Sequence, residues 1–484
     1  MTPEEIIQAA LITPVIGAIL IAFTGRWPNL REGVTLVTAL TLFYWVTSLY
    51  PYVLDGERPT LVAGNMLPGL SITFTIEPLG MLFACIASFL WVINSIYSIG
   101  YMRANNEKNQ TRFYVCFAIA LASAIAIAFA GNMMTLFIFY EALTISTYPL
   151  VAHAGTDKAK SGARVYLGIL LSTSIGLLFL GIVWTWMIAG TLDFTPGGIL
   201  EGKASNTIIG ILLVLYMFGI GKAALMPFHR WLPAAMVAPT PVSALLHAVA
   251  VVKAGVFTLV KVIIYIFGFD FLSVSIDPDW LLYISGFTII AASIVALRQD
   301  NLKRRLAYST ISQLSYVIMA AAILAPLSIV GAGLHIAVHA FGKITLFFAA
   351  GSIYTASHKT EISQLDGIGR RMPWTMGAFA IGALSMIGVP PTAGFISKWY
   401  ILHGALDSGQ MLAVVVIVIS TLLNAGYFLP IVYAAFFKKP KFGSGDEHGE
   451  APLAIVIALS LTAAVTILLF FIPGVFLELA RQLI

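Results

Sequence analysis

The chain has 484 residues, 59% of them hydrophobic and only 10% charged, against roughly 25% charged in a soluble domain. A mean hydropathy of +0.93 excludes a soluble globular protein and leaves an integral membrane protein. The net charge of +5 follows from loop bias, not from a nucleic-acid surface. The two cysteines, Cys85 and Cys116, are too few for an iron–sulfur site, which wants about four thiolates, or for a disulfide framework.

Apolar runs near 20 residues each read as one bilayer crossing. In chain order there are fourteen, at about 5–24, 33–51, 79–100, 113–130, 132–152, 163–189, 207–229, 241–268, 280–297, 306–325, 327–353, 374–402, 411–436 and 452–475. The opening MTPEEIIQAALIT is acidic and does not read as a basic secretory signal. ERPTLVAGNMLPGLSITFTIEP (57–78) alternates apolar and polar residues around Pro68-Gly69, the pattern of a small hairpin. The longest polar stretch, KKPKFGSGDEHGE (438–450), reads as an inner loop. No linker divides the chain, so 1–484 reads as a single membrane domain.

With the N-terminus outside, nineteen basic residues fall in inner loops. They are Arg26, Arg31, Arg103, Lys108, Arg112, Lys158, Lys160, Arg164, Arg230, Arg298, Lys303, Arg304, Arg305, Lys359, Arg370, Arg371, Lys438, Lys439 and Lys441. The outer side holds Arg58, Lys203 and Arg481. The positive-inside bias predicts fourteen spans with both termini outside, in a cell (inner) membrane.

The remaining five lysines lie within spans: Lys222, Lys253, Lys261, Lys343 and Lys398. An ammonium at mid-bilayer costs at least about 2.5–3.5 kcal/mol unless paired or hydrated, so such residues mark ion paths. Glu141 is the one acidic residue expected well inside a span. Paired with Lys222, it would control whether that lysine holds its proton; a static packing pair is the competing reading. His335, His339 and Lys343 recur at i, i+4 and i+8, a polar stripe suited to proton relay. Two histidines four apart also suit zinc, but no carboxylate or cysteine accompanies them on this helix, and no metal site is expected. Ser243 and His247 share a helical face. His247 reads equally as a hydrogen-bonded packing residue, and Lys253, six residues on, needs a water or another side chain to join it. Lys261 lies nearer the outer end and is expected to snorkel to the interface. GIGKAALMPFHRWLP and IGVPPTAGFISKWY, 176 residues apart from Lys222 to Lys398, both put Gly and Pro beside a lysine in mid-span. Such paired interruptions point to a transporter's ion site. No P-loop, dinucleotide-binding glycine signature or nucleophile elbow occurs, and no cofactor is expected.

The blocks FIFYEALTISTYPL, GKAALMPFHRWLPAAMVAPTPVSALLHAVAVVKAGVF, RQDNLKRRLAYSTISQLSY and MIGVPPTAGFISKW resemble the antiporter-like subunits shared by respiratory complex I and the Mrp-type multisubunit Na⁺/H⁺ antiporters. The resemblance covers roughly 75–435. It implies an all-α polytopic fold of about fourteen transmembrane helices. Inside it are two inverted five-helix repeats, about 113–268 and 280–436, with the seventh and twelfth helices broken. It also implies a proton-translocating axis of Glu141, Lys222, Lys253, His335, His339, Lys343 and Lys398, beside which the residues' own placement makes His247, Ser243 and Lys261 possible auxiliaries. Lys398 argues against the M-type complex I subunit, where glutamate is expected. The absence of a long C-terminal extension argues against the L-type complex I subunit and the large Mrp A subunit; a chain of 484 residues suits an Mrp D-type or an N-type complex I subunit, and the Mrp D type is the reading adopted. The expected partners are other membrane subunits, H⁺, Na⁺ handled elsewhere in the complex, and the bilayer. A component of a redox-driven proton pump, and a structural subunit with vestigial charges, are the rivals.

Overall fold

A computed structural model describes residues 1–275, 279–440 and 449–484. Lys441 and most of the expected 438–450 loop lie outside the described residues.

Two helices, α1 (Pro3–Phe23) and α2 (Pro28–Leu54), precede an antiparallel hairpin of β1 (Thr60–Leu67) and β2 (Leu70–Thr75). This is the hairpin expected from the alternation around Pro68-Gly69. Then follow α3 (Pro78–Ala104), α4 (Gln110–Phe129), α5 (Met133–Val151) and α6 (Asp157–Thr173), the last running through a π-helical turn, Ser174–Leu178, into α7 (Phe179–Ala189). A broken segment comprises α8 (Asn206–Gly219) and α9 (Trp231–Ala234). Next, α10 (Thr240–Ala244), a π-helical turn (Leu245–Val249) and α11 (Val251–Val262) form one rod, followed by α12 (Phe269–Ser275), α13 (Asp279–Leu297) and α14 (Leu302–Ala322). The chain finishes with α15 (Pro326–Ser357), a second broken segment of α16 (Pro373–Ile387) and α17 (Gly394–Asp407), then α18 (Met411–Phe437), α19 (Leu453–Phe471) and α20 (Gly474–Arg481).

All fourteen apolar segments are helical. Among the described residues, eleven helices are long and apolar enough to cross a membrane. The other three segments have physical reasons to fall short. The seventh and twelfth are split, and the tenth, α14, opens on Leu302-Lys303-Arg304-Arg305 and carries Ser309, Thr310, Ser312 and Gln313. A polar helix of that kind is stable in a bilayer only where protein surrounds it. It is so surrounded: Ser309, Thr310, Ser312 and Gln313 are all 0% exposed.

Short polar residues start several of the helices. Asn132 accepts from the Thr135 amide at 2.8 Å, and Asn301 accepts from the Arg304 amide at 3.1 Å, each satisfying one of the free N–H groups of a first turn. The apolar stretches of α15 and of the Thr240–Phe267 rod are buried along their whole length, whereas α1, α2, α18 and α19 leave most of theirs exposed. The exposed positions, such as Val37 and Leu422, are side chains that lipid tails accept. The polar α14, the lysine-bearing rod and α15 thus lie inside, and α1, α18 and α19, among the most apolar spans, lie outside.

Candidate functional site

The first break is built around Lys222. Helix α8 ends at Gly219, and Gly221–Ala223 turn as a 3₁₀ segment capped by Ala224 in the left-handed region at φ 56°. Trp231 closes the turn by donating from Nε1 to the Gly221 carbonyl at 3.0 Å. Lys222 is fully buried. Its Nζ donates to the Tyr140 carbonyl at 2.8 Å and to Thr144 Oγ1 at 2.6 Å, and it stands over the Tyr140 ring, 3.1 Å from its centroid. Glu141 is the next residue along α5. Both its carboxylate oxygens are buried without a hydrogen-bond partner, and no ion pair within 4 Å joins it to Lys222. A carboxylate and an ammonium on facing elements, with neutral groups holding the ammonium, are a separable pair rather than a locked one.

Helix α11 lies directly on this turn. A Cβ at Gly255 would come 2.3 Å from the Lys222 carbonyl carbon, so only glycine permits the approach. The π-helical turn before α11 is the local irregularity often found at functional sites, and it carries His247. Its Nδ1 is 3.1 Å from Thr310 Oγ1 while Nε2 is buried without a partner. Lys253 reaches across to α15, with Nζ 2.5 Å from His339 Nδ1. Two nitrogens this close share a single proton between them, because two N–H donors cannot face each other. Ser243 points back to its own helix, its Oγ 3.5 Å from the Pro239 carbonyl.

Two sets of contacts lead from α15 to the second broken segment. Along α15, the His339 and His335 rings stack at 5.9 Å, and His335 Nδ1 meets Ser397 Oγ at 2.9 Å, beside Lys398. The second set starts at Lys343, whose Nζ donates to Ser309 Oγ at 2.8 Å. The Tyr427 hydroxyl sits 3.0 Å from the same oxygen and also contacts Asn424 Oδ1. Asn424 Nδ2 donates to the Met386 carbonyl at 3.3 Å, and that carbonyl is where Lys398 Nζ arrives, at 2.9 Å. Lys398 also donates to the Ile387 carbonyl at 2.9 Å. The break makes this possible. Helix α16 stops at Ile387 because Gly388 takes φ +89°, which frees the last carbonyls and turns the negative end of the helix dipole toward the ammonium.

The expected axis residues thus lie in the interior. Lys253 and His339 are in direct contact, His335 and Lys343 lie one turn to either side of His339 on α15, Lys398 lies in the second broken segment, and Lys222 sits across the Gly255 contact with Glu141 on the facing helix. Two expectations need correction. Lys261 does not snorkel: it is 0% exposed, pairs with Glu77 at 3.1 Å and donates to the Ala130 carbonyl at 2.7 Å. With partners supplied inside the protein, it has no need of the headgroup region. Nor is Glu141 the only acidic residue drawn inside. Helix α2 starts at Pro28, five residues before the expected boundary, and buries Glu32 against Arg31 and Arg103; Glu77, the residue before α3, is 5% exposed. The sequence reading missed Ser309, Gln313, Ser397, Asn424 and Tyr427. A lone amide in VVVIVISTLLNAGYF was the available signal, since polar side chains in a span are kept for a partner.

A polytopic helical membrane protein with two broken helices and a buried file of titratable groups is the architecture of an ion-translocating subunit. The comparisons give the family. Residues 130–424 match the model described as NADH:quinone oxidoreductase/Mrp antiporter, TM. The chain is 32% identical over 442 residues to NADH-quinone oxidoreductase subunit N of Desulforudis audaxviator, covering 90% of this chain and 87% of that protein. It is 30% identical to a probable K(+)/H(+) antiporter protein of Rhizobium meliloti, the A/B component of its assembly, covering 93% of this chain but 45% of that protein. A chain of the Mrp complex from Dietzia sp. superposes with a TM-score of 0.89 at 20% identity, over 100% of this chain and 97% of that one. A chain of the archaeal membrane-bound sulfane sulfur reductase superposes with a TM-score of 0.87 at 24% identity, over 98% and 96%. These last two establish the shared fold. The protein belongs to the NADH:quinone oxidoreductase/Mrp antiporter transmembrane family, and is an antiporter-like membrane subunit.

Proposed function

We propose that this chain is the proton-translocating subunit of a multisubunit monovalent cation/H⁺ antiporter, of the Mrp D type. Protons move along Glu141, Lys222, Lys253, His339, His335, Lys343 and Lys398, with His247 as an auxiliary station and Lys261 and Ser243 off the main line. The observation that carries this reading is the row of buried amines and imidazoles from Lys253 to Lys398, in which Lys253 Nζ stands 2.5 Å from His339 Nδ1 and the unpartnered Nε2 atoms of His339 and His335 are left for water to join. Each amine there is held by neutral oxygens or imidazoles, so it can gain or lose a proton without breaking an ion pair. Lys222 and Glu141 act as the entry switch. When the carboxylate approaches, the ammonium is stabilised; when they part, the proton is released toward Lys253 through water or a turn of the lysine side chain. Sodium, a hard cation like calcium, prefers oxygen ligands, which this amine-rich axis offers sparingly, so the coupled cation crosses elsewhere in the assembly. The axis lies in the cell membrane with both termini outside.

Lys222→Ala and Glu141→Ala, each tested in everted vesicles with the protein level checked, should abolish cation-dependent dissipation of ΔpH. Normal exchange by both variants refutes the axis.

The subunit N relative, matched over most of both chains, favours a second reading, a proton-pumping component of a redox-driven complex. Purification decides between them. Co-purifying iron–sulfur or flavin proteins support the redox complex, and small membrane subunits alone support the antiporter.

A further inference from the structure

The ion pair of Lys261 and Glu77 lies off the axis just described, yet its surroundings form a closed port. Both residues are buried, at 0% and 5% exposure. Glu77 occupies the N-cap position of α3 but makes no cap hydrogen bond to its own helix. Its carboxylate is turned instead to Lys261 Nζ at 3.1 Å. The ammonium is further held by the Ala130 carbonyl at 2.7 Å and by the Phe194 ring at 4.2 Å. Three segments meet beside the pair, the hairpin, the buried Ala130–Asn132 turn and the stretch at Phe194, and are tied to one another by backbone bonds. The Gly131 amide donates to the Thr73 carbonyl of the hairpin at 2.8 Å, and the Phe194 amide donates to the Gly131 carbonyl at 3.1 Å.

Below the pair lies Lys253. Positions 253, 257 and 261 follow one inclined ridge of α11, the i, i+4 row of a helix. Phe257 therefore stands between the two lysines. Its ring is 5.4 Å from Lys261 Nζ and packs on Phe83 at 5.1 Å between centroids. Both rings are fully buried. An apolar plug between two ionisable stations stops a water file and opens when the rings part; hydrophobic constrictions gate channels in this way.

We infer that Glu77, Lys261 and Phe257 form an outer gate, at which the first half of the chain exchanges protons with the hairpin side of the membrane. This rests on the proton-path reading above. When the Phe257 and Phe83 rings part, a proton from Lys253 crosses on water to the Glu77 carboxylate. Neutral Glu77 no longer holds Lys261, turns outward, gives the same proton to outer water and, ionised again, returns to the ammonium. One proton enters and one leaves, and the pair is restored.

The test uses the whole complex, purified through a tag on this chain and reconstituted in liposomes containing a pH-sensitive dye. Lys222→Ala is run alongside. Glu77→Gln keeps the shape of the carboxylate but cannot carry the proton, and the assembled variant should lose cation-coupled exchange by roughly 10²-fold, the effect of removing one proton-transfer group. Phe257→Ala should make the liposomes leak protons without the coupled cation; if that variant fails to assemble, Phe257→Leu, which removes the ring and keeps bulk, is read the same way. Wild-type exchange by Glu77→Gln, or liposomes as proton-tight as wild type with the Phe257 variant, overturns the gate. If Lys222→Ala alone is silent while the outer variants behave as wild type, the gate fails and the axis stands. If Lys222→Ala exchanges normally, the axis itself fails, and the gate with it.

Discussion

The two routes into Lys398 make a prediction that a single-file path does not. Tyr427 is fully buried, and its hydroxyl links Ser309 Oγ, 3.0 Å away, to Asn424. Tyr427→Phe deletes that oxygen and little volume. Ser309 keeps the Lys343 ammonium, while the Asn424 carbonyl oxygen loses its donor, at a cost of about 1–3 kcal/mol for a buried unsatisfied acceptor. Assembly should survive that. Ser397→Ala likewise cuts the His335 arm, removing the 2.9 Å contact that precedes Lys398. If the arms conduct in parallel with equal weight, each single variant keeps about half the exchange rate. The double variant then loses the full contribution of a proton-transfer group, roughly 10²-fold or more. If one arm carries all the current, its single variant shows the whole loss and the other shows none. Cation-driven ΔpH dissipation, measured in liposomes at matched protein, reads all three. A double variant that exchanges at the wild-type rate refutes the idea that protons reach Lys398 by hydrogen-bonded side chains at all.

Three further outcomes follow from single positions. Lys398→Ala should abolish exchange while the complex assembles, and a wild-type rate in the vesicle assay removes the second broken helix from the path. Gly388→Ala should be harmful twice over: a left-handed backbone, here at φ +89°, costs an L-residue about 1–2 kcal/mol, and the new methyl would stand 2.7 Å from Lys398 Cδ. A lower thermal midpoint and slower exchange are expected together, and an unchanged midpoint contradicts the strain argument. His153, in the loop after α5, is held below its usual range by burial and by the nearby Arg112; the folded chain refuses a proton that the unfolded chain accepts near pH 6.5, so the stability it contributes is present above that pH and lost as pH falls below it. His153→Gln should narrow the difference between the thermal midpoints measured on either side of that pH, and an equal difference in variant and wild type contradicts the assignment.

What the sequence made legible was what periodicity and composition encode directly. The fourteen apolar segments, the hairpin around Pro68-Gly69 and both breaks were visible because Gly and Pro punctuate local backbone. What stayed hidden depends on tertiary partners. Lys261 and Lys398 look alike along the chain, each an ammonium in an apolar helix. One finds a carboxylate far away in sequence, Glu77, and the other finds two carbonyls released by its own broken helix. No local rule separates those cases. The Tyr427–Asn424–Ser309 link was half legible: the lone amide of Asn424 signals a partner, but nothing local says that the partners are Tyr427 and, from α14, Ser309.

The same contrast bears on which lysines can move protons. Lys261 has a carboxylate at 3.1 Å, and taking away its proton would leave Glu77 charged and unpaired in a closed interior, a state costing several kcal/mol. Among the described residues, Lys343 and Lys398 hydrogen-bond to hydroxyl and carbonyl oxygens and lie over the Phe428 and Tyr316 rings, with no anion bonded to either. For them the change of charge breaks no ion pair, because the same oxygens that stabilise an ammonium accept the N–H of a neutral amine. A lysine built to stay charged is given an anion, and one built to cycle is given neutral oxygens. On the proton path proposed above, Lys222, held by the Tyr140 carbonyl and Thr144 with no bond to Glu141, would belong with the cycling group by that criterion.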